Sequence, residues 1–340
     1  MFTSAALRGV RLLLAAALLA MSSIVAVPAA QACACGAMVA EELDVGGEVS
    51  LITWDGRHEQ IDMVFQVDGH ATEAAWIMPA PPETELSLGD REIFSHLQWL
   101  SRPRPEYRDV WWPRIVGIDE GDGGAPDGAP PQVTTTEVGP FEVSTLSGGD
   151  AASVSAWLTA HGFPAREELQ PSFQSYIDHG WNIMATRLTA EGTQAFTGDL
   201  APLRLSFPTE EPVYPILLSR HAQQDQDLIL YVAAPRNVEI SQQASSTPLE
   251  LTFGGDIEYA RLSPGGSGTW RLTKFEGSLH PETITADYRF RESADQSDRY
   301  ETYEVVRHQT DIPWPIAVAG VAVIAAAVIS GIVVFRASKR

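Results

Sequence analysis

The chain has 340 residues, 44% of them hydrophobic, with 23 lysine and arginine residues against 44 aspartate and glutamate residues. Without the two arginines near the N-terminus and the three cations after the last apolar stretch, 18 basic residues face 44 acidic ones, a formal charge of −26. A surface this acidic repels phosphate groups, which excludes nucleic acid as a partner and disfavours anionic lipid headgroups.

Residues 1–32 have the features of a secretory signal peptide. Arg8 and Arg11 form a basic start, residues 12–27 are apolar, and Ala30-Gln31-Ala32 matches an A-x-A cleavage site. We therefore predict an exported protein whose mature chain begins near Cys33.

Residues 33–116 are predicted to form a β-meander followed by a helix. A strand over 49–54 ends at Asp55-Gly56, a dipeptide suited to a type I′ turn, and residues 61–67 then alternate between apolar and mixed positions. A second Asp-Gly at 68–69 leads into a third strand over 74–78. Asp90 is the predicted N-cap of a helix whose apolar face carries Ile93, Phe94, Leu97 and Leu100. A further strand is expected over 111–116.

Residues 117–132 are rich in Gly, Pro and Asp, which predicts a flexible loop. Their acidic residues do not follow the ligand spacing of an EF-hand, so no metal site is predicted there.

Residues 133–310 are predicted to form a second β-rich region with short helices. One helix follows Asp150 and ends before Gly162, and another runs from about Pro171 to Gly180. Strands are expected at 181–188, 203–207, 213–219, 228–234, 249–253, 270–275, 284–290 and 300–306. The fold class is therefore mainly β with a few helices (α+β), in antiparallel, sandwich-like sheets.

Residues 313–335 are predicted to be a transmembrane helix. The uncharged apolar stretch 316–335 is long enough to cross the ~30 Å hydrocarbon core of a bilayer. Trp314 precedes it at the position of a membrane interface, and the basic tail 336–340 carries Arg336, Lys339 and Arg340. By the positive-inside rule the tail is cytoplasmic, which places the N-terminus and the large acidic region outside.

Several blocks of the sequence resemble one known family. They are CACG at 33–36, LITWDG at 51–56, EAAWIMPAP at 73–81, YIDHGW at 176–181, and PLRLSFP at 202–208 with Tyr214-Pro215 after it. On these blocks the chain resembles the bacterial exported proteins of domain of unknown function 2330 (DUF2330). The resemblance implies a secreted or membrane-tethered protein and brings no assigned reaction and no catalytic residues.

Cys33 and Cys35 are the only cysteines of the chain. An even number of cysteines outside the cytoplasm favours a disulfide, although a spacing of two residues requires a local turn to bring the sulfurs together. Pairing with a partner, free thiols, lipidation of Cys33, and a redox or metal role stay open as alternatives.

Trp111 and Trp112 form a possible contact surface, because adjacent residues of a strand point to opposite faces and one of the two rings must face outward. Coverage of that ring by the neighbouring loop is the alternative. The histidines do not have zinc-site spacing, and no catalytic motif, cofactor loop or metal motif is recognisable.

We therefore expect a single-pass membrane protein whose external domain binds, senses or scaffolds without catalysis, with envelope proteins or wall polymers as partners. An envelope hydrolase acting on glycans through an unidentified pair of carboxylates is one alternative. A thiol–disulfide role of Cys33 and Cys35 is the other.

Overall fold

The structure is a computed structural model that describes residues 31–33, 36–39, 43–69, 73–110, 114–116, 141–146, 149–162, 167–189, 197–199, 202–263, 265–308 and 311–338. The fold is mainly β with antiparallel sheets, as predicted, and its described part contains four α-helices. Residues 1–30 of the predicted signal peptide and the 117–132 loop lie outside the described residues, and Gln31 and Ala32 at its predicted end belong to the first strand.

The first strands are β1 (Gln31–Cys33), β2 (Gly36–Val39), β3 (Leu43–Trp54), β4 (His58–Gly69), β5 (Glu73–Ala80), β6 (Glu85–Leu88), β7 (Arg104–Val110), β8 (Arg114–Val116), β9 (Phe141–Leu146) and β10 (Asn182–Thr189). The remaining strands are β11 (Thr197–Asp199), β12 (Leu203–Pro208), β13 (Val213–Tyr214), β14 (Gln226–Ala234), β15 (Val238–Gln242), β16 (Glu250–Glu258), β17 (Thr269–Leu279), β18 (Tyr288–Glu292), β19 (Arg299–Tyr300), β20 (Thr302–His308) and β21 (Asp311–Pro313). The α-helices are α1 (Arg91–Leu100), α2 (Ala151–Ala160), α3 (Gln170–Asp178) and α4 (Trp314–Ala337).

The chain divides into two compact units. Unit 1 comprises Met1–Ser101 and Gly139–Arg299, and unit 2 comprises Arg102–Val138 and Tyr300–Arg340. Unit 1 contains a large sheet with the strand order β16-β17-β14-β3-β4-β12-β6, in which β11 also pairs with β4. A small sheet has the order β1-β2-β5-β10-β9, and β13, β18 and β15 form a third.

Strands β3 and β4 form the hairpin that the first Asp-Gly dipeptide predicts, with Trp54 opposite Glu59 and Gly56 at a φ of +99°. Strand β5 does not continue this sheet as the meander prediction implies. It pairs instead with β2 and β10 in the small sheet. Every residue from 74 to 80 is buried, which agrees with the unbroken apolar run of β5 and differs from the alternation of a strand with one wet face.

The central strands of the small sheet are buried on both faces. On one face, Trp76 and Met78 pack with residues of the large sheet such as Ile52 and Ile61. On the other face, Ala75 and Ile77 pack against the helices through a set of buried residues: Val154, Leu158, Phe173, Tyr176 and Leu218. Large sheet, small sheet and helices therefore form successive layers around two apolar cores.

Gly36 marks a close approach within the small sheet. A Cβ atom at this position would lie 2.5 Å from the Ile77 carbonyl oxygen and 2.7 Å from Trp76 Nε1. Any other residue would push β2 away from β5, so this position requires glycine.

The helices of unit 1 begin and end where the sequence predicts. The Asp90 carboxylate accepts a hydrogen bond from the Glu92 amide at the start of α1, and Asp150 accepts one from the Ser153 amide at the start of α2. Gly162 and Gly180 follow α2 and α3 with φ values of +86° and +80°.

Two predicted strands are shorter than expected. Residues 213–219 form the two-residue strand β13 and then a 3-10 helix, Leu217–His221. The first half of the predicted 284–290 strand forms only a single bridge, between Ile284 and Ser245, and β18 starts at Tyr288. Both segments contribute buried side chains to unit 1. An alternation of apolar residues shows which side chains are buried but does not require continuous pairing with a neighbouring strand.

Unit 2 holds the parallel pairs β7–β20 and β8–β21 and the helix α4. Within the described residues, α4 is the one helix long and apolar enough to cross a membrane, over Ile316–Ala337.

Candidate functional site

A cavity of about 400 Å³ opens in unit 1, a volume within the range of small-molecule sites. It lies at the C-terminal end of α3, beside the 3-10 helix Leu217–His221 and the residues that lead into β18. The polar and aromatic residues that line it are Tyr176, His179, Trp181, Gln242, Asp287 and Arg289.

The C-terminal end of α3 places Tyr176, His179 and Trp181 at the cavity. The Gly180 amide donates to the Ile177 carbonyl and the Trp181 amide to the Tyr176 carbonyl, which closes the helix tightly. Because this closure requires the positive φ of Gly180, the chain reverses there and brings Trp181 back beside Tyr176, with ring centroids 5.3 Å apart.

Asp287 is the central charged group of the cavity. Its Oδ1 accepts hydrogen bonds from the Tyr176 hydroxyl at 2.5 Å and from the amides of Ile216 and Leu217 at 2.8 and 3.0 Å. No described residue donates to Oδ2. The described residues therefore fix one oxygen and supply no donor to the other.

Burial raises the pKa of the Asp287 carboxyl above its ordinary value. Hydrogen bonds from Tyr176, Leu217 and Ile216, together with the charge of Arg289, offset only part of this rise. A ligand group that donates to Oδ2 would stabilise the ionised form, so binding and ionisation of this carboxyl are linked.

His179 offers a second acceptor. Its Nδ1 lies 2.6 Å from the Ser175 carbonyl oxygen, an atom that can only accept, so Nδ1 carries the proton. In the neutral ring Nε2 is then an acceptor, in a residue that is solvent-exposed at the cavity.

Arg289 and Gln242 supply donors to the same cavity. One guanidinium nitrogen of Arg289 lies 3.2 Å from a carboxylate oxygen of Glu211, which balances its charge. The Gln242 amide group donates to the backbone carbonyl of Asp287 at 3.0 Å. Acceptors, donors and an indole ring therefore surround one concave space, an arrangement suited to holding a polar ligand in a defined orientation.

Other buried carboxyls of unit 1 belong to its core. Glu59 accepts from the Val213 amide with both oxygens, and Asp62 pairs with Arg204 at 2.7 Å and with Gln60 at 2.8 Å. Glu48 accepts hydrogen bonds from Ser50 and Tyr214 in the interior. None of these three carboxyls lines the cavity around Asp287.

A serine–histidine pair lies one helical turn from the cavity. The Ser172 hydroxyl on α3 is 3.0 Å from His221 Nε2, at the end of the 3-10 helix Leu217–His221. Burial, and then the charge of Arg220, lower the pKa of His221, so its ring is neutral at neutral pH. Ser172 itself is buried.

None of the site residues predicted from the sequence is among the described residues that line this cavity. Trp111, Trp112 and Cys35 lie outside the described residues. Cys33 is described only by its backbone, which pairs with Gly36 between β1 and β2. The contact surface and the disulfide therefore stay predictions.

Two features of the sequence relate to this cavity. The block 176–181, which is part of the family resemblance, supplies Tyr176, His179 and Trp181. The alternation that puts Tyr288 and Phe290 in the core leaves Asp287 and Arg289 on the opposite face. In a chain with 44 acidic residues, however, sequence alone does not distinguish Asp287 from a solvated carboxylate.

The residues that the structure describes include no group of three or more histidine, cysteine, aspartate or glutamate side chains arranged to hold a metal ion.

Comparison with known proteins gives one family match. The family model described as "Uncharacterized protein conserved in bacteria (DUF2330)" matches residues 28–291. No curated protein matches the chain. Among solved structures, the crystal structure of baculovirus P35 aligns with a TM-score of 0.32 and 10% identity over 76% of this chain and 95% of that one. A likeness this slight carries no argument.

Proposed function

The chain belongs to the DUF2330 family of bacterial proteins, and we propose that it is a membrane-anchored binding protein whose unit 1 lies outside the cell and takes a polar ligand in the Asp287 cavity. The proposal rests on one observation, that the two carboxylate oxygens of Asp287 have different numbers of hydrogen-bond donors. The fold fixes Oδ1 with three donors and leaves Oδ2 at the cavity without a described donor.

The chemistry of the cavity favours an uncharged, hydroxyl-rich ligand. Hydroxyl groups both donate and accept, which matches the acceptors on Asp287 and His179 and the donors on Arg289 and Gln242. An apolar face of a sugar ring can pack on the half-buried indole of Trp181. Since unit 1 is proposed to face the cell envelope, we propose a saccharide unit of a wall polymer as the ligand.

Anchorage by α4 is supported by its length and composition. The 24 residues of Trp314–Ala337 span about 36 Å, enough for a bilayer core, and nearly all the apolar side chains of α4 are exposed. Arg336 and the two cations after it support a cytoplasmic C-terminus. Protease added to intact spheroplasts should then degrade unit 1 and spare a C-terminal fragment, and full protection of unit 1 would contradict the proposed orientation.

Binding is tested with the full-length chain in nanodiscs and soluble saccharide fragments of bacterial cell wall. Tryptophan fluorescence and calorimetry should report saturable binding, and Asp287→Asn and Trp181→Ala should each weaken it at least ten-fold. Asp227→Asn is the matched control, because Asp227 is an exposed aspartate on β14 outside the cavity. No binding by the wild type, or equal binding by all variants, would overturn the proposal.

A hydrolase is the second candidate, and the Ser172–His221 contact is what favours it. The described lining of the Asp287 cavity contains one carboxyl group, whereas a glycosidase of the usual kind needs two. A serine activated by a neutral histidine would instead attack an acyl group. A fluorophosphonate probe should then label the wild type but not Ser172→Ala or His221→Ala, with Ser175→Ala as the control. Unlabelled wild-type protein would exclude this candidate.

The thiol–disulfide role of Cys33 and Cys35 remains a proposal of the sequence alone. Its test is a thiol titration of the exported chain across reducing potentials, and a Cys33→Ser/Cys35→Ser variant with unchanged behaviour in cells would remove it.

A further inference from the structure

Unit 2 contains a two-stranded parallel ribbon formed by β7 and β20. Their register pairs Thr302 with Arg104 and continues to His308 with Val110. No third strand joins them among the described residues. Parallel strands occur almost only in sheets that are covered on both faces, and an isolated pair of strands is marginally stable in water.

The ribbon has two chemically different faces. Paired residues of parallel strands share a face and successive residues alternate, so the register assigns every side chain to one side. The first, which we call the tyrosine face, consists of Pro105, Tyr107, Asp109, Tyr303, Val305 and Arg307. The second, the polar face, carries Arg104, Glu106, Arg108, Val110, Thr302, Glu304, Val306 and His308.

The side-chain contacts agree with this division. On the polar face, Arg108 and Glu304 form an ion pair at 2.6 Å, and the Thr302 hydroxyl lies 3.4 Å from a Glu106 carboxylate oxygen. On the tyrosine face, the Arg307 guanidinium lies 3.4 Å from the centre of the Tyr107 ring.

The tyrosine face exposes much apolar surface. Tyr107 is 51% exposed and Tyr303 is 53% exposed. The two rings lie on the same face of a ribbon that needs a cover, whereas the polar face carries the Arg108–Glu304 ion pair. A grouped pair of exposed aromatic residues is the composition of an association surface rather than of ordinary solvated surface.

The charge of the ribbon distinguishes it from the rest of the external chain. Strand β7 carries two arginines, one glutamate and one aspartate, and β20 carries one glutamate and one arginine, so each strand is neutral. The external chain as a whole has a formal charge of −26. Two copies would therefore repel one another over most of their surface and less at the ribbon.

We propose that the tyrosine face is a self-association surface that packs on the same face of a second copy of this chain. The proposal rests on the membrane anchorage proposed above. Only five residues separate His308 from Trp314, so the ribbons of two anchored copies lie at the same height and in the same orientation. A two-fold axis along the membrane normal then brings like faces together. Confinement to the membrane raises the effective concentration, which lets a small surface suffice.

The test uses the full-length chain reconstituted in lipid vesicles at low density, with a fluorescent tag at the C-terminus. Photobleaching of single vesicles should show two steps for the wild type in clear excess over random co-occupancy. Tyr107→Asp/Tyr303→Asp should reduce that excess at least five-fold. Thr302→Asp/Val306→Asp adds the same charge to the polar face and should keep it. Flotation of the vesicles reports anchorage separately, so a failure of anchorage is distinguished from a failure of association.

A second measurement does not depend on the aspartate variants, in which the ribbon itself can unfold. A photo-crosslinking phenylalanine analogue placed at Tyr303 should give a covalent dimer of the chain, whereas the same analogue at Val306 should give several-fold less. A monomeric wild type, a dimer unaffected by Tyr107→Asp/Tyr303→Asp, or crosslinks from Tyr303 to lipid alone would each overturn the proposal.

Discussion

Asp62 is a buried and Asp287 a half-buried carboxyl of unit 1, and burial raises the pKa of both, yet the protein surrounds them differently. Asp62 has a donor for each oxygen, from Arg204 and from Gln60, and lies within the large sheet. Asp287 has three donors on one oxygen and no described donor on the other, at the edge of a cavity. Burial is therefore common to both carboxyls, and the unequal distribution of donors around Asp287, together with its place at the cavity, is what supports the proposed site.

The largest effect expected from this comparison comes from removing the partner of Asp62. Arg204→Ala leaves a fully buried carboxyl without its cation and should lower the free energy of unfolding by about 3–5 kcal/mol. Urea unfolding of the full-length chain in detergent measures the loss. Asp62→Asn/Arg204→Met should recover at least half of it, because that pair leaves no buried charge. A loss below about 1 kcal/mol for Arg204→Ala would mean that Asp62 is not held as a core ion pair.

The second effect concerns pH and uses Glu59, whose pKa burial raises well above its ordinary value. A raised folded-state pKa adds stability that is fully present below the unfolded pKa of about 4.3 and is lost as the pH rises through the folded pKa. Wild-type stability should therefore fall as the pH rises above about 4.3 toward the raised folded-state pKa, by at most about 1.4 kcal/mol per pH unit for this one proton.

Glu59→Gln should remove that part of the slope, since glutamine does not titrate. The difference between variant and wild type isolates Glu59 from the other acids, and the exposed Asp227→Asn controls for the change in net charge. Parallel stability curves for Glu59→Gln and wild type would contradict the raised pKa.

A third, smaller effect is expected at the cavity. Tyr176→Phe removes the hydroxyl that donates to Asp287 at 2.5 Å and should lower the free energy of unfolding by about 1–2 kcal/mol. Because that hydrogen bond lowers the pKa of Asp287, its loss should raise this pKa further, which NMR titration of the carboxyl would detect. An unchanged pKa would show that the two amides alone set the state of Asp287.

The smallest effect on stability is expected for Asp287→Asn. The asparagine oxygen can still accept from Tyr176 and both amides, so the free energy of unfolding should change by less than about 1 kcal/mol. Ligand binding should nevertheless fall, since the free acceptor is replaced by a donor. A large loss of stability would instead place Asp287 in the same structural class as Asp62.

The sequence predicts local structure well where one short signal decides it. Asp55-Gly56 specifies the β3–β4 hairpin, and Asp90, Asp150, Gly162 and Gly180 define helix ends. It does not predict that β5 leaves the meander for a second sheet, because strand pairing depends on contacts far apart in the chain.

The cavity was less predictable than the strands. It combines α3, the 3-10 helix after β13 and the start of β18, which are separated by up to 111 residues between Tyr176 and Asp287. The apolar and polar pattern of each segment predicts which way its side chains point. It does not predict that these three segments pack against one another. The sequence predicts a strand over 213–219, in which the amides of Ile216 and Leu217 would pair with a neighbouring strand, whereas in the structure they donate to Asp287.

The parallel arrangement of β7 and β20 has a mechanical consequence. Both strands run in the same direction, and β20 is followed by β21 and α4, so a pull on the membrane helix enters at the C-terminal end of β20. If β7 is restrained at its opposite, N-terminal end, the two strands are drawn past one another and all their cross-strand hydrogen bonds share the load together. Such a joint resists tension far better than a hairpin that opens one bond at a time, which would suit the membrane anchorage proposed for α4.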